Sequence, residues 1–247
     1  MMQFTTSWDD GCALDLRIAE ILKNAGCTGT FYVCPRPDRT EALLSGSELR
    51  DLATHHEIGA HTLTHPHLPS LSLTDAKREI EGSKRWIEER TQKPCTMFCY
   101  PYGEQNADIR SMVRNAGFRG ARTTQNFHFS GNDFYALGTS LQVYPFPFRP
   151  ILNRRFVAPV QRSWTRLREL SIPLTALRGW LPMAKAVFQK TYASRSPWFH
   201  LWGHSWEVEK YHLWNELETF LAFVRSHSDV TPVPNSSLLS HADSSAQ

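Results

Sequence analysis

One stretch near the start of the chain, residues 4–34, decides the fold: FTTSWDDGCALDLRIAEILKNAGCTGTFYVC. Its first residues, Phe4 to Trp8, predict a buried strand. Residues 13–24 place apolar side chains at helical spacing, and Gly26 is suited to end that helix. Residues 28–34 are rich in β-branched and aromatic residues and predict a second strand. A strand, a helix and a strand in this order predict a parallel βαβ unit.

The same alternation continues along most of the chain. Further helices are predicted to begin at Ser47 and to cover residues 73–91, 108–115 and 210–226, with Thr74 as an N-cap. Further strands are predicted at residues 57–60, 96–100, 118–122, 198–202 and 230–233. Strands separated by helix-length segments predict an α/β fold with parallel pairing. In such folds the chemistry collects at the carboxyl ends of the strands.

Two segments depart from this alternation. Residues 126–193 contain YPFPFRP and many arginines, and we interpret them as an insertion. A substrate-binding cap, a partner surface and a plain excursion all fit this segment. Residues 235–247 are rich in Ser, Ala and Asp and predict a flexible tail. The expected organisation is therefore one domain over residues 1–234 with an insertion at about 126–193.

Composition narrows the class of protein. The chain has 247 residues, enough for one large α/β domain, and its net charge of +3 comes from scattered Lys and Arg residues, which argues against a nucleic-acid partner. Its five cysteines lack paired CxxC spacing, so we expect reduced thiols. We see no signal peptide and no apolar stretch of the roughly 18 residues that span a membrane. These features predict a cytoplasmic protein.

Three polar segments fall at the ends of predicted strands. They are SWDDG at residues 7–11, HTLTH at residues 61–65 and WGHSWE at residues 202–207. Adjacent carboxylates at a strand end point in different directions, so one can bind a cation while the other accepts a proton. We expect these segments to form one site.

The two histidines of HTLTH, His61 and His65, are four residues apart. On a helical turn both imidazoles would lie on one face as metal ligands. With one Asp they would hold a zinc-like ion by three protein ligands and leave a position open, which is typical of catalytic sites. An isolated HxxxH is more often a pair of loop histidines, but the nearby DDG and a third histidine at a strand end favour the metal site.

In this order, SWDDG, HTLTH, YPYG at residues 100–103 and LWGH at residues 201–204 resemble the motifs of the polysaccharide deacetylase family, carbohydrate esterase family 4. This is also called the nodulation-type chitooligosaccharide deacetylase homology domain. The resemblance spans almost the whole chain. It implies a distorted (β/α) barrel of about seven parallel strands.

The resemblance also implies roles for individual residues. Asp9 is matched to the general base and His204 to the general acid. Asp10, His61 and His65 are matched to the ligands of a divalent metal, most often zinc, with cobalt as an alternative. The residues expected to contact the substrate or its oxyanion are the Tyr102 backbone N–H, Leu201 beside the acetyl methyl, Trp8, and Trp206, which can stack on a sugar or simply pack.

Two expected partners are missing from the motifs. The family usually has an Arg before the Pro-Tyr-Gly, where this chain has Cys99, and that Arg normally orients the base. Arg122 or another cation can substitute from elsewhere, or Asp9 titrates differently. The carboxylate that pairs with His204 is not identifiable, and Asp133 and Glu207 are the two candidates. His200 is expected to point away from the site.

The resemblance predicts a metal-dependent hydrolase that removes an N-acetyl group from an amino sugar in an oligosaccharide, polysaccharide or glycan precursor. An O-acetyl esterase or a non-sugar amidohydrolase would use the same fold. A third hypothesis, prompted by the missing Arg, is that the protein is a relative that binds glycans without catalysing a reaction. A cytoplasmic location would favour a soluble, nucleotide-linked or lipid-linked precursor as substrate.

Overall fold

A parallel sheet organises the chain, for which the computed structural model describes residues 1–38 and 40–242. Within these residues the strands are β1 (Met2–Asp10), β2 (Thr30–Val33), β3 (Glu57–Ala60), β4 (Met97–Cys99), β5 (Gly120–Arg122), β6 (Leu141–Gln142), β7 (Trp198–Gly203) and β8 (Val230–Pro232). The helices are α1 (Asp15–Asn24), α2 (Gly46–His55), α3 (Leu73–Thr91), α4 (Ala107–Asn115), α5 (Ala158–Glu169), α6 (Trp180–Ala193), α7 (Ser205–Lys210) and α8 (Trp214–Arg225).

The strands follow the order β5-β4-β3-β2-β1-β7-β6, and every pairing between them is parallel. The short strand β8 pairs with the first residues of β1. Between β5 and β6 no ladder forms in the described chain, but Leu137 makes a parallel bridge to Arg122. The predicted distorted (β/α) barrel of about seven parallel strands is confirmed.

Most predicted elements lie within a few residues of the observed ones, with two corrections. The N-cap of α3 is Ser72 and not Thr74, because the Ser72 hydroxyl accepts a hydrogen bond from the Asp75 N–H. The helix predicted over 210–226 begins only at Trp214, as α8, and a separate short helix that was not predicted, α7, precedes it over Ser205–Lys210. The break between the two helices lies at His212, which has a φ of 56° and whose N–H donates to the Glu209 carbonyl.

Apolar side chains form two separate cores. The larger core lies between the sheet and the helices, where Phe199 of β7 packs against Phe188 of α6 and Phe220 of α8. The smaller core lies inside the barrel and consists of Tyr32, Met97, Cys99, Leu137 and Leu239. Alternate residues of each strand therefore face the helices and the barrel interior, as a two-residue period requires.

The segment predicted as an insertion, residues 126–193, contributes to both the sheet and the larger core. Strand β6 pairs with β7, and Trp180 and Phe188 of α6 are fully buried. Helix α5 is different, because Leu167 is its only buried residue. The part that projects from the barrel is thus mainly α5 and the loop before it.

The start of the predicted tail is packed against the barrel. Asn235 is buried and its side chain accepts a hydrogen bond from Thr5 and donates one to the Tyr32 hydroxyl. Leu238 and Leu239 are also buried. These contacts follow from the polar groups of Thr5 and Tyr32, which need partners inside the barrel. The predicted flexibility of residues 243–247 lies outside the described residues.

All five cysteines are buried and free, as the lack of paired spacing predicts. None of the helices in the described chain combines the length and apolar character that a membrane crossing requires.

The strand register brings the predicted site residues to one edge of the sheet. Asp10 is level with Val33, which is level with Ala60, the residue before His61. Trp8 is level with Gly203, the residue before His204. Because parallel strands share the direction of their carboxyl ends, the three polar segments meet at the same end of the barrel.

Gly59, in the strand that leads to His61, allows β3 to lie close to β2. A Cβ on Gly59 would stand 2.4 Å from two ring carbons of buried Tyr32. We expect Gly59→Ala to lower the free energy of unfolding by about 1–3 kcal/mol, because the core must be overpacked to admit the methyl group. Urea denaturation measures the change.

Gly46→Ala is the matched control for this substitution, since a Cβ there has only the Arg50 guanidinium nearby, at 3.9 Å. This variant is expected to lose no stability. Equal stability of the Gly59→Ala variant and the wild type would contradict the packing described for β2 and β3.

Candidate active site

Asp10, His61 and His65 form a compact set of metal-binding atoms. The Asp10 Oδ1 atom lies 3.8 Å from His61 Nε2 and 3.7 Å from His65 Nε2. A tetrahedral zinc ion with bonds of about 2.0–2.2 Å requires its ligand atoms to be about 3.4 Å apart, which is only slightly less than these two distances. The three side chains therefore fit a divalent metal with small shifts. The sequence prediction that they lie together agrees with this geometry.

Hydrogen bonds orient two of these three side chains. The Nδ1–H of His61 donates to the Cys99 carbonyl at 2.8 Å, so the lone pair of Nε2 is directed toward Asp10. The indole N–H of Trp206 donates to Asp10 Oδ2 at 3.0 Å, while Oδ1 faces the histidines. Such partners in the outer shell fix the tautomer of a histidine ligand and the orientation of a carboxylate ligand.

The HTLTH segment is a loop and not the helical turn that the spacing suggested. Thr62 and His65 have φ angles of 64° and 59°, in the left-handed region, which interrupts any helix. The Thr62 hydroxyl accepts a hydrogen bond from the His65 N–H at 3.0 Å. The two imidazoles nevertheless lie close together, with ring centroids 4.8 Å apart.

Glu79 of α3 holds this loop and was not predicted from the sequence. One carboxylate oxygen accepts from the backbone N–H groups of Leu63 and Thr64 at 2.8 and 2.9 Å, and the other accepts from the Thr64 hydroxyl. Glu79 is 5% exposed and lies on the face of α3 that also buries Ile80. An acidic residue on the apolar face of a helix is the signal that could have found it.

Several residues of the site have a strained backbone conformation. Asp10 and Tyr102 also have positive φ angles, 86° and 59°, so four non-glycine residues of SWDDG, HTLTH and YPYG adopt this unfavourable conformation. Strained residues of this kind persist where the surrounding structure holds them, and they cluster at functional sites.

Asp9 and Arg122 form a buried ion pair inside the barrel. The Arg122 guanidinium donates to Asp9 Oδ1, and both side chains are almost completely inaccessible, at 0% and 2%. Arg122 also lies over the rings of Tyr32 and Trp202, at 5.1 and 5.0 Å from their centroids. Arg122 is therefore the cation beside the predicted base, and it comes from β5 instead of the β4 position held by Cys99.

The ion pair sets the protonation state of Asp9. Burial alone would raise the pKa of Asp9, but the positive charge of Arg122, with contributions from His61 and His204, lowers the pKa to about 2. The Cys99 thiol donates to the other carboxylate oxygen at 3.7 Å. Asp9 is thus ionised at neutral pH.

His204 pairs with Glu207, one of the two candidate carboxylates. The His204 Nδ1 atom lies 2.6 Å from Glu207 Oε2, whereas Asp133 forms its ion pair with Arg110 on the surface. Burial would lower the pKa of His204, but the carboxylates of Asp10 and Glu207 outweigh it and raise the pKa to about 9. His204 carries a proton at neutral pH.

A second donor set overlaps the first. Asp9, His61 and Cys99 also have candidate ligand atoms within 4.8 Å of one another. Two features disfavour a metal there: Arg122 already neutralises Asp9, and burial raises the pKa of the Cys99 thiol well above its usual range. A thiol must lose its proton before it binds a metal.

An open cavity of about 410 Å³ lies beside the metal donors, and His65, Tyr102 and Trp206 line it. Of the four residues predicted to contact the substrate, Tyr102 and Trp206 are therefore brought to the site. Trp8 and Leu201 are not, because both are fully buried in the larger core. His200 is buried too, with its Nε2 atom 2.8 Å from the Ser7 hydroxyl, so it has a partner away from the metal donors.

Comparison with known proteins shows which family the first half of the chain is similar to. Residues 4–121, just under half of the chain, match the family model described as polysaccharide deacetylase. The family resemblance is confirmed. The matched region contains DDG, HTLTH and Pro-Tyr-Gly, so four of the five predicted metal and acid-base residues lie inside it. His204 and Glu207 lie beyond it.

Solved structures of polysaccharide deacetylase relatives share the fold. A family 4 carbohydrate esterase from Streptomyces lividans in complex with acetate has a TM-score of 0.56 at 16% identity, covering 94% of this chain and 91% of that chain. A mutant of the peptidoglycan deacetylase PdaC from Bacillus subtilis has a TM-score of 0.57 at 15% identity, covering 99% and 94%.

A third similar structure is a mutant of BA3943, described as a CE4 family pseudoenzyme with restored enzymatic activity. Its TM-score is 0.57 at 16% identity, covering 96% of this chain and 67% of that chain. The chain covers only 45% of another match, a polysaccharide deacetylase from Bacillus cereus. At these identities the likeness establishes the fold.

Replacing Arg122 tests the ion pair through the pH dependence of stability. With Arg122, ionised Asp9 contributes stability that is present above about pH 4 and lost as the pH falls toward 2. In metal-free Arg122→Met, burial raises the pKa of Asp9, so stability is instead lost as the pH rises through the new pKa. We expect a cost of about 3–5 kcal/mol at pH 7 and a much smaller cost at pH 3.

Urea denaturation at both pH values measures this difference. Arg110→Met is the control, because it breaks the half-exposed pair with Asp133 and should cost at most about 1 kcal/mol at either pH. An Arg122→Met cost that does not change with pH would show that the charge of Asp9 is not coupled to Arg122.

Proposed function

We propose that this protein is a zinc-dependent deacetylase that removes an N-acetyl group from an amino sugar in an oligosaccharide, polysaccharide or glycan precursor. The observation that carries the proposal is the set of Asp10, His61 and His65 beside an ionised Asp9 and a protonated His204. Deacylation of an amide needs a polarised carbonyl, a proton acceptor and a proton donor, and this arrangement can supply all three.

The donor atoms favour zinc. Two imidazole nitrogens and one carboxylate oxygen form a ligand set typical of catalytic zinc sites, and cobalt accepts the same ligands. A divalent ion held by Asp10, His61 and His65 would polarise the amide carbonyl and lower the pKa of a bound water. The orientation of His61 by Cys99 and of Asp10 by Trp206 supports binding without a large rearrangement.

Asp9 acts in this proposal as the proton acceptor. Its neighbour Arg122 keeps it ionised, which is the form that can take a proton from the attacking water. In the family motif the base is oriented by an Arg before the Pro-Tyr-Gly. Here we assign that function to Arg122, since its guanidinium reaches Asp9 from the neighbouring strand β5.

His204 acts as the proton donor. Glu207 accepts the hydrogen bond from Nδ1–H, so the proton for transfer is carried by Nε2, which faces Asp10 at 3.8 Å. Glu207, through its hydrogen bond, raises the pKa of His204 and so favours the protonated form that can pass its proton to the departing amine. The backbone N–H of Tyr102 is assigned to the oxyanion, and Trp206 at the cavity is assigned to the sugar. Roles for Leu201 beside the acetyl methyl and for Trp8 require movement of the core around them.

Removing either proton-transfer residue should strongly slow turnover without removing the metal. We expect Asp9→Asn and His204→Ala each to lower kcat about 10²–10⁴-fold on N-acetylglucosamine oligomers, because each removes one proton transfer. Acetate release measures turnover, and zinc content by elemental analysis is the control. Near wild-type kcat in either zinc-loaded variant would refute that residue's role.

The choice of substrate is tested by comparing acetate release from N-acetylglucosamine oligomers with release from acetylated xylan fragments. An oxygen ester cleaved in preference to the amide would make the protein an O-acetyl esterase. Sugar binding without acetate release from either substrate would make it a non-catalytic relative.

Zinc binding is expected to be one ion per chain and to depend on both histidines. His61→Ala and His65→Ala should each weaken binding at least about tenfold in calorimetric titration, since each removes one of three protein ligands. His67→Ala is the matched control, because His67 lies next to the site but pairs with Glu104 at 2.8 Å. Unchanged affinity in the first two variants would place the metal elsewhere.

A further inference from the structure

A second cavity lies on the other side of Glu207 from His204. It has a volume of about 280 Å³ and is walled by the end of β6, the loop that follows it, and the helices α5 and α6. Glu207 lines this cavity and also accepts the hydrogen bond from His204. The cavity is therefore one side chain away from the proposed proton donor.

The register of the sheet places this cavity at the reactive end of the barrel. Gln142, the last residue of β6, is level with Trp202 and lines the cavity. Asn126, also in the lining, accepts a hydrogen bond from the Trp202 indole at 2.9 Å, and the Trp202 ring lies 5.6 Å from the His204 ring. The cavity is thus a direct neighbour of the active site along the same edge.

Two arginines, Arg149 and Arg162, line the cavity, and neither forms an ion pair within the part of the chain that the structure describes. Other arginines are engaged: Arg122 pairs with Asp9 and Arg166 with Glu169. The guanidinium of Arg149 lies over the Tyr144 ring, 5.3 Å from its centroid, which restricts its position.

The acidic residue of the cavity does not neutralise these arginines. Both His204 and the Gln142 amide donate to Glu207 Oε2, at 2.6 and 3.3 Å. Guanidinium groups suit phosphate and carboxylate, because their planar fork matches those anions. The two arginines therefore point to a negatively charged ligand group.

The opposite flank of the active site has the opposite charge. Asp38 and Glu41 line the 410 Å³ cavity beside His65 and Tyr102. An anionic group would be repelled from this acidic flank and attracted to the arginine flank. Charge alone would therefore orient an acidic substrate across the metal donors in one direction.

We propose that the cavity lined by Arg149 and Arg162 binds a phosphate or carboxylate of the substrate, so that the N-acetyl sugar processed here carries a negative charge near its acetamido group. The inference rests on the proposed deacetylase function and specifies its substrate class. The cavity volume is near the lower limit for small-molecule sites, which suits one small substituent and not a long chain.

The test compares three substrates that differ in charge: methyl N-acetylglucosaminide, N-acetylglucosamine 1-phosphate and N-acetylmuramic acid. Acetate release from the zinc-loaded protein gives kcat/KM for each. We expect the charged substrates to exceed the neutral one by at least about tenfold, with the advantage shrinking as salt rises. Comparing kcat/KM for N-acetylglucosamine 1-phosphate with that for N-acetylmuramic acid shows whether phosphate or carboxylate is preferred.

Substitution of the arginines connects this preference to the cavity. In Arg149→Gln and Arg162→Gln the ratio of kcat/KM for the charged over the neutral substrate should fall about tenfold each, mainly through KM. Arg154→Gln is the matched control, since Arg154 is an exposed arginine of the same segment that does not line the cavity. This variant should keep the wild-type ratio.

The outcomes separate the two proposals. A wild-type ratio near one, or an equal fall in all three arginine variants, would overturn the anion site while leaving deacetylation intact. If no substrate releases acetate, calorimetric titration with N-acetylglucosamine 1-phosphate tests the cavity alone. Binding that is lost in Arg149→Gln but kept in Arg154→Gln would support the site, and no binding would refute it.

Discussion

The ion pair between Asp9 and Arg122 is the interaction on which the rest of the site depends. It places a full positive and a full negative charge inside the barrel, where an unpaired charge would be very unfavourable. Arg122 fixes Asp9 at the end of β1, and Asp10, the next residue, is thereby directed to the two histidines. Two adjacent carboxylates can thus serve different purposes: one is neutralised by the protein, and the other faces the metal position.

Much of the fold and of the metal site was predictable from the sequence, because both depend on local patterns. The alternation of apolar strands and amphipathic helices specifies a parallel sheet, and a parallel sheet brings its carboxyl ends to one edge. Asp10 ends β1 and His61 directly follows β3, so their meeting needs no knowledge of loop conformation, whereas the position of His65 depends on the HTLTH loop. The family match covers this same part of the chain, residues 4–121.

The other features depend on tertiary contacts that no local pattern records. Arg122 reaches Asp9 from a strand 113 residues later, and Cys99 in the motif position gave no indication of which cation replaces the missing Arg. Glu79 satisfies backbone N–H groups of a loop whose positive φ angles were not predicted, since only Gly commonly signals them. Glu207 was one of two candidates, and α7 decides between them because it places residues 204 and 207 one turn apart.

X-ray absorption at the zinc edge of the metal-loaded protein tests most directly which residues hold the metal. Of the two overlapping donor sets, only Asp9, His61 and Cys99 includes a sulfur atom. A metal held by Asp10, His61 and His65 predicts only nitrogen and oxygen neighbours at about 2.0–2.2 Å, with an unchanged spectrum in Cys99→Ser. A sulfur neighbour at about 2.3 Å that disappears in Cys99→Ser would contradict the account, since the metal would then displace Arg122 from Asp9.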